Sequence, residues 1–346
     1  AGKRVFTGTD RQDLLRTRQT LWKTGLWRRM MSKRDHRYVY GPVPSRRLGR
    51  SLGVDIVPFK TCTFDCIYCQ LGRTTNKTVE RREYFDVEDI LVEVRERLSA
   101  GADPDYITIA GSGEPTLNSA IGILIPKIKE VTDVPVVVLT NGALLWRQDV
   151  QDDLMMSDIV IPSLDAGDED MFLYINRPHP DARFEHLVDG IASFTERFRG
   201  KVWLEVMLLS GITGLPNESK KIADLAKRIA PDRIQLNTAI RPPAEEFAFP
   251  MSDNQMSLIR EMFPGNAEIV CNKEHGGHDY RKITEEEDRD ILLMISRRPC
   301  TALDISDGLC FDIIELYKRL DGLTSAGKAK RILAGGQTFF SAVNPA

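Results

Sequence analysis

The sequence has no apolar run that approaches the roughly 20 residues a membrane-spanning helix needs, and it shows no pattern of a secretory signal. It also lacks a strong overall charge, because its 346 residues have a formal net charge of −3. That charge is uneven: residues 1–34 hold ten Lys or Arg and two Asp or Glu, which leaves the remaining chain at −11. We therefore expect neither a membrane span nor a large nonspecific nucleic-acid surface on the acidic body.

Cysteine is scarce, with six residues in the whole chain. A hydrophobic content of 42% and a charged content of 28% are ordinary for a soluble globular protein, so a sizeable core can form without disulfides. The length suits one large domain and one small one. Three of the six cysteines are clustered, which predicts a metal site in a reducing cytoplasm.

The clustered cysteines are Cys62, Cys66 and Cys69, which fall within eight positions. At this spacing the three sulfurs can face one inorganic centre and leave one coordination position open. A structural zinc site needs four protein ligands, and the nearest further candidates, Cys271 and His275, lie about 200 residues later. The loop therefore indicates a catalytic centre, with a zinc knuckle completed from afar and a thiol redox loop as the alternatives.

The cysteine spacing, with the aromatic Tyr68 before the third cysteine, resembles the cluster loop of the radical S-adenosylmethionine (SAM) superfamily. The resemblance implies that Cys62, Cys66 and Cys69 hold three irons of a [4Fe-4S] cluster and that SAM chelates the fourth. It implies reductive cleavage of SAM to methionine and a 5′-deoxyadenosyl radical, which abstracts hydrogen from a substrate. A reductant protein such as a flavodoxin or ferredoxin would supply the electron.

The body of the chain alternates strand and helix signals, which predicts an α/β fold with a parallel sheet and outer helices. The resemblance implies a partial (βα)6 barrel of the TIM type. The predicted strands cover residues 51–57, 106–110, 135–140, 158–163, 201–209 and 233–237. The first predicted helix begins at Asp86, and the other four cover residues 120–131, 146–156, 184–198 and 218–230.

Polar motifs follow the predicted strands, where barrel enzymes carry their chemistry. The first motif runs from Gly111 to Thr116, after the second predicted strand. Its glycines allow the backbone to approach a ligand closely, and the Glu114 carboxylate can accept a hydrogen bond from the SAM ammonium. Ser112 replaces the glycine usual in the family's Gly-Gly-Glu-Pro motif. The residues that resemble SAM contacts are Tyr68, Gly111, Ser112, Gly113, Glu114, Pro115, Asn141, Ser163, Asp165, Gly211, Ile212, Gln235, Asn237 and Arg241.

Other polar residues are candidates for the substrate. Arg177 and His179 stand in a Pro-rich loop and are the predicted substrate-side residues, with plain exposure as the alternative. Three arginines, Arg46, Arg47 and Arg50, precede the first predicted strand and suit an anionic substrate or the SAM carboxylate, with a solvated rim as the alternative. A second metal on Cys271, His275 and His278 is a minor hypothesis beside a simple linker.

Four regions are expected in the chain. Residues 1–34 are a basic extension, mobile or not native; residues 35–270 form the barrel; residues 271–284 are a linker; residues 285–346 form a winged-helix-like domain. That last region has eight basic and ten acidic side chains, so docking of a substrate or protein is favoured over nucleic-acid binding. Cys300 and Cys310 are expected in its core.

The motifs from Glu114, Thr140 and Ser163 onward resemble the branch that contains the tRNA 4-demethylwyosine synthases. Those enzymes carry further cysteines upstream, and no cysteine precedes Cys62 here, so wyosine-type tRNA modification is kept only as an alternative. The substrate is therefore a small molecule, a peptide or an RNA. A SAM- or redox-responsive transcription regulator is the hypothesis from a different functional class.

Overall fold

The computed structural model describes residues 38–270, 283 and 287–343. The predicted N-terminal extension, nearly all of the predicted linker and the candidate metal ligands Cys271, His275 and His278 lie outside the described residues. No helix within the described ranges is long and apolar enough to cross a membrane.

The fold is α/β and centres on an eight-stranded sheet that forms a partial TIM-type barrel. β1 (Val39–Ser45) runs antiparallel to its neighbour at one edge, and the other strands are parallel and adjacent in chain order. Two short strands, β3 (Thr61–Cys62) and β4 (Asn76–Lys77), form a separate pair. The parallel strands are β2 (Gly49–Val54), β5 (Tyr106–Ile109), β6 (Val136–Thr140), β7 (Ile159–Pro162), β8 (Lys201–Leu208), β9 (Arg233–Thr238) and β10 (Ala267–Ile269).

Helices connect the parallel strands, as the crossover rule for such sheets requires. Asp86 caps the first of them through a side-chain bond from Glu88 N, as its short polar side chain predicts. The barrel helices are α1 (Val87–Ser99), α2 (Ile121–Lys129), α3 (Gln148–Leu154), α4 (Glu169–Asn176), α5 (Phe184–Arg197), α6 (Pro216–Ile229) and α7 (Asp253–Arg260).

Side chains of one strand alternate between two hydrophobic clusters, because successive residues of a strand point to opposite faces. In β6, Val136 and Val138 pack in the main core with the helices, whereas Val137 packs with Leu48 and Trp203 in a smaller cluster. A strand that is apolar on both faces is the pattern expected in a parallel sheet. The turn before β2 therefore lies against the second face of the sheet through Leu48.

All six predicted strands and the five predicted barrel helices are confirmed. Gly41, Pro42 and Pro44 read as a loop in the sequence, which is wrong, because they belong to β1, and β1 pairs with β2 through a register shift between Tyr40 and Val43. Proline lacks a backbone N–H and is tolerated on an edge strand, where one side needs no donor. The helices α4 and α7 and the strand β10 were not predicted.

The C-terminal region contains α8 (Asp288–Arg297), α9 (Ala302–Leu309), α10 (Ile313–Ser325) and a hairpin of β11 (Ala329–Ala334) and β12 (Gln337–Ala342). Three helices and a hairpin are the elements that a winged-helix-like domain contains. The α9 C-cap is Cys310, in the left-handed region. Cys300 is buried as expected, whereas Cys310 is only half-buried. The winged-helix assignment and the domain boundaries stay predictions.

The C-terminal region packs directly on the edge of the barrel. Val43 of β1 belongs to the same hydrophobic cluster as Ile291 and Ile305. Arg297, at the end of α8, forms an ion pair with Asp55, which follows β2, and both side chains are largely buried. The C-terminal region is thus fixed to the strand end that leads into the cysteine loop.

Candidate active site

The three clustered cysteines line one cavity of about 290 Å³. The loop that carries them begins after β2, and a backbone bond from Cys69 N to Cys66 O (3.1 Å) makes its last turn. Apart from these cysteines the lining residues are Ser45, Arg46, Arg47, Lys60, Phe64, Tyr68, Gln70, Leu71, Thr74, Gly111, Ser112, Gly113, Glu205, Met207, Asn237, Thr238, Ala239, Ile240, Arg241 and Arg298.

Two of the three sulfurs have an amide donor as a close partner. Asn141 Nδ2 lies 3.5 Å from Cys62 Sγ, and Asn176 Nδ2 lies 3.4 Å from Cys66 Sγ. N–H donors stabilise a thiolate relative to a thiol. The asparagines therefore support the charged form of the cysteines, which is the form that binds metal.

The third sulfur has a cationic partner, since Lys60 Nζ lies 3.5 Å from Cys69 Sγ. Lys60 is itself buried, and its Nζ also donates to the carbonyl oxygen of Gly72 in the same loop. An ammonium group beside a thiolate offsets its negative charge. Lys60 thus holds the end of the cysteine loop and supplies a counter-charge there.

Burial opposes ionisation of two of the thiols, Cys62 and Cys66. It raises the pKa of Cys62 to about 12, with the nearby Glu114 carboxylate as the next cause. It also raises the pKa of Cys66 well above its usual value, with Cys62 as the next cause. Buried thiols that are costly to ionise become thiolates when a metal coordinates them, and the donors described above then have charged partners. The donor set therefore fits a metal cluster.

Within the described ranges, no group of three or more His, Cys, Asp or Glu side chains lies close enough to hold a single metal ion. An iron–sulfur cluster binds each thiolate to a different iron, so its ligands need not converge on one point. The three cysteines accordingly share a cavity without forming a mononuclear site.

Two glycines allow the motif after β5 to pack against the start of the cysteine loop. A Cβ on Gly113 would lie 1.8 Å from the carbonyl oxygen of Thr61, and one on Gly111, whose φ is +149°, would lie 2.4 Å from the Asp55 carboxyl carbon. Ser112, which stands where the family has glycine, donates from Oγ to Asp55 Oδ2 (2.6 Å). These three motif residues line the cavity.

Glu114 does not line the cavity. Its carboxylate is buried and accepts from Thr116 N (3.0 Å), Thr140 Oγ1 (2.7 Å) and Asn141 N (2.7 Å). Burial raises its pKa while these donors oppose the rise. Glu114 therefore ties the ends of two strands together and positions Asn141 beside Cys62, and Pro115 starts the short 3-10 turn behind it. A contact from Glu114 to the SAM ammonium stays a prediction.

Asp165, after β7, is buried and does not itself line the cavity. It accepts a bond from the Tyr68 hydroxyl, one from Asn176 Nδ2 (3.1 Å) and one from Met207 N (2.9 Å). Burial raises the pKa of Asp165 to about 6. The carboxylate thus links the aromatic residue of the cysteine loop to β8, and Tyr68 itself lines the cavity.

The remaining predicted SAM contacts divide into two groups. Asn237 and Arg241, which leave β9, line the cavity as expected. Gln235 is buried in the sheet and donates to Glu268 Oε1 (3.1 Å) instead. Ser163, Ile212 and Gly211 do not line this cavity either, and Gly211 is exposed. Roles for these residues in SAM binding stay predictions.

The two predicted substrate residues, Arg177 and His179, also lie outside the cavity. Arg177 is the C-cap of α4 with a left-handed φ of 44° and pairs with Glu245 Oε1 at 2.5 Å. His179 accepts a bond at Nδ1 from Asp181 N (3.3 Å), and its backbone N donates to Thr63 O (2.8 Å). Both residues thus brace the cysteine loop from outside, and a substrate role stays a prediction.

Four arginines, Arg46, Arg47, Arg241 and Arg298, line the cavity together with Glu205, and we call these four the arginine wall. Arg47 forms an ion pair with Glu205, whose other oxygen accepts from Asn237 Nδ2 (2.8 Å). Burial alone would raise the pKa of Glu205, but Arg47 holds it below its usual range.

Backbone carbonyls fix two of these arginines. Arg241 Nε donates to Pro299 O (3.1 Å), and Arg298 Nη2 donates to Pro44 O (3.1 Å). Arg241 therefore holds the segment after α8, and Arg298 holds β1. The C-terminal region completes the cavity through these contacts.

Sequence reasoning missed Lys60, Glu205 and Arg298 as site residues. A signal existed for Glu205, because a lone carboxylate inside the apolar run of β8 needs a buried partner. Arg298 gave no local signal, since its place at the cavity depends on how the C-terminal region packs. Arg50, weighed with Arg46 and Arg47, does not line the cavity.

The family model described as "Radical SAM superfamily" matches residues 56–229. A UPF0026 protein of Methanocaldococcus jannaschii is 34% identical over 311 residues, which cover 87% of this chain and 94% of that protein. A protein named GTPase Obg from Brachyspira hyodysenteriae is 40% identical over 311 residues, 88% of this chain, but the chain spans only 45% of that relative's length.

Two solved structures illustrate the structural similarities. A radical SAM methyltransferase from Sphaerobacter thermophilus has a TM-score of 0.47 at 17% identity, covering 63% of this chain and 65% of that one. Streptococcus suis SuiB bound to S-adenosylmethionine has a TM-score of 0.48 at 14% identity, covering 83% of this chain and 62% of that one.

Proposed function

Because the chain belongs to the radical SAM superfamily and to the UPF0026 family, we propose that Cys62, Cys66 and Cys69 hold a [4Fe-4S] cluster that cleaves SAM reductively. Enzymes of this superfamily use that cluster and SAM. The observation that carries the residue assignment is the placement of three partly buried sulfurs in one cavity, each beside an N–H donor. The reaction removes hydrogen from a substrate that binds in the same cavity.

When bound, the cluster and SAM supply one-electron cleavage of a carbon–sulfur bond and an organic radical that takes hydrogen from the substrate. The protein's own residues hold and shield the reactants. Asn141, Asn176 and Lys60 stabilise the thiolates. Phe64 and Met207 line the cavity with apolar surface, which limits the water that can reach a reactive intermediate.

The motif around Gly113 and the end of β9 are suited to bind SAM. Gly111 and Gly113 leave backbone exposed at the cavity, where a ligand can approach closely. Asn237 offers an amide that can orient a polar group, although Glu205 already occupies one of its donors. The Tyr68 hydroxyl is occupied by Asp165, so Tyr68 presents its ring to the ligand.

Electrons come from an external reductant, for which we propose a flavodoxin or ferredoxin in the cytoplasm. Gln70 is exposed directly after Cys69, and Arg73, which pairs with Asp65 and Glu245, is exposed close to it in the chain. An exposed face with charged side chains beside the cluster ligands suits the docking of a redox protein. The short path from this face to Cys69 supports electron entry there.

The test is anaerobic reconstitution with iron and sulfide, followed by addition of dithionite and SAM. We expect bound iron and 5′-deoxyadenosine, measured by mass spectrometry, at least about 100-fold above a variant with Cys62, Cys66 and Cys69 all changed to alanine. Cys310→Ala serves as the matched control, since Cys310 lies outside the cavity, and should leave both values unchanged. A brown, iron-loaded protein that yields only background 5′-deoxyadenosine would refute the proposed function.

A further inference from the structure

The arginine wall is assembled from three separate parts of the chain. Arg46 and Arg47 lie in the turn between β1 and β2, Arg241 follows β9, and Arg298 follows α8. Among the described residues that line the cavity, Glu205 is the only carboxylate. Its charge offsets one guanidinium, and Asp304, which does not line the cavity, lies 3.7 Å from Arg241 Nη2 and offsets a second. With four guanidinium groups and two paired carboxylates, the arginine wall keeps a surplus of positive charge.

Arg46 shows this surplus most directly. Within the described part of the chain its side chain has no hydrogen bond or ion pair. Burial, and then the charges of Arg241 and Arg47, lower the pKa of Arg46 to about 10. Burial and then Arg298 lower the pKa of Arg241 to about 10 as well. Arg46 is thus held near two other guanidinium groups without an ion-pair partner of its own, whereas Asp304 lies 3.7 Å from Arg241.

The proposed cofactors do not correct the imbalance. SAM has one carboxylate, but its ammonium and sulfonium groups give the molecule a net positive charge. The thiolates that would bind the cluster already have a cation nearby, because Lys60 lies beside Cys69. An anion that balances the arginine wall therefore has to come from a third molecule.

The number and kind of donors indicate which anion fits. A guanidinium binds a phosphate through two parallel N–H···O bonds, and this geometry favours arginine over lysine at phosphate sites. A phosphate monoester has a charge of about −1.5 to −2 at pH 7 and three acceptor oxygens. A single carboxylate would occupy one guanidinium and leave the others repelling one another.

We propose that the arginine wall binds the phosphate group of a small phosphorylated substrate, with Arg46 as its main ligand. The arginine wall lines a concave cavity together with the cysteine loop, and a concave site suits a small molecule better than a nucleic-acid chain. With its phosphate on the arginine wall, the substrate extends toward the cysteine loop, where hydrogen abstraction takes place. That last step rests on the proposed function, whereas phosphate binding does not.

The first test measures binding without SAM or reductant. Reconstituted protein is heated under anaerobic conditions with inorganic phosphate, glycerol 3-phosphate or sodium chloride at equal ionic strength. A ligand that binds the folded state raises the melting temperature in proportion to the logarithm of its concentration over its Kd. Both phosphate probes should raise it by several degrees, and an equal rise with sodium chloride would overturn the proposal.

The second test compares Arg46→Gln with Arg199→Gln, a control at an exposed residue outside the cavity. Calorimetric titration with glycerol 3-phosphate should show about 10- to 100-fold weaker binding for Arg46→Gln and no change for Arg199→Gln. Without phosphate, Arg46→Gln should melt at the same temperature as the parent or higher, because a repelled charge is gone. Unchanged affinity for glycerol 3-phosphate would overturn the proposal. A lower melting temperature without phosphate would assign Arg46 a structural role and would overturn it as well.

The outcomes separate this proposal from the proposed function. Phosphate binding that depends on Arg46 in a protein that makes no 5′-deoxyadenosine would refute the function and keep the phosphate site. A protein that makes 5′-deoxyadenosine but binds neither phosphate probe would support the proposed function and refute the phosphate site. A single-stranded RNA oligonucleotide that binds as tightly as glycerol 3-phosphate, with the same dependence on Arg46, would overturn the assignment to a small molecule.

Discussion

The two sides of the cavity are built in opposite ways. Cys62, Cys66 and Cys69 come from eight consecutive positions of one loop, whereas the arginine wall is brought together from three distant segments. The cysteine loop carries its chemistry as a local pattern, so the spacing alone indicates the centre it holds. The arginine wall exists only after the C-terminal region has packed on β1. A change in that packing should therefore affect the arginine wall far more than the cysteine loop.

Among the variants considered, Arg297→Gln should cause the largest loss of stability. It breaks the buried ion pair with Asp55 that fixes the C-terminal region to the barrel. An uncompensated buried carboxylate costs about 3–5 kcal/mol, so we expect a loss of that size in the free energy of unfolding, measured with urea. Binding of glycerol 3-phosphate should weaken as well, because Arg298 is the next residue.

The matched control is Arg319→Gln, which removes a half-exposed arginine of the same region that lies 3.7 Å from Asp288. A partly exposed pair of that kind contributes about 1 kcal/mol or less. If both variants lost the same stability, the Arg297–Asp55 pair would not be what holds the C-terminal region in place.

Glu205→Gln should cause a smaller loss of stability, and the structural change should be confined to the arginine wall. Glutamine keeps an oxygen for Asn237 but leaves Arg47 without its carboxylate. Because Arg47 and Glu205 are 20% and 13% exposed, we expect a loss of about 2 kcal/mol rather than the full cost of a buried pair. Phosphate should then stabilise the variant more than the parent protein, since the positive surplus is larger.

The double variant Arg47→Gln/Glu205→Gln tests whether the two side chains act as a pair. Its loss of stability should be smaller than the sum of the two single losses, because no unpaired charge remains. Strictly additive losses would show that Arg47 and Glu205 contribute independently.

The comparison explains which parts of the molecule the sequence predicts. Strands such as β6 are predicted because a short β-branched run suits a buried parallel strand, and the cysteine loop because its ligands are contiguous. β1 was missed because Pro42 and Pro44 normally interrupt strands, and only its edge position tolerates them. Arg298 was missed because its position depends on tertiary packing, which no local pattern encodes.

Gly113→Ala tests the cysteine side. Its new Cβ would lie 1.8 Å from Thr61 O, directly before Cys62, so the loop must shift. We expect a loss of about 1–3 kcal/mol and lower iron content after reconstitution, with phosphate binding retained. Gly265→Ala is the control, because a Cβ there meets nothing within 4 Å and should change neither value. Full iron loading of Gly113→Ala would mean that the loop tolerates the shift.

Asp165→Asn should have the smallest effect, visible only as a change in pH dependence. Burial raises the pKa of Asp165 to about 6, above its unfolded value, so the folded state binds the extra proton between those two values. Stability from this group is present at low pH and is lost as pH rises through about 6. We expect urea unfolding to show about 1 kcal/mol less stability at pH 7 than at pH 5 from this group, and Asp165→Asn to remove that difference. An identical pH dependence in the two proteins would contradict this prediction. It would mean that the donors Tyr68, Asn176 and Met207 stabilise the charged Asp165 carboxylate fully, without a cation beside it.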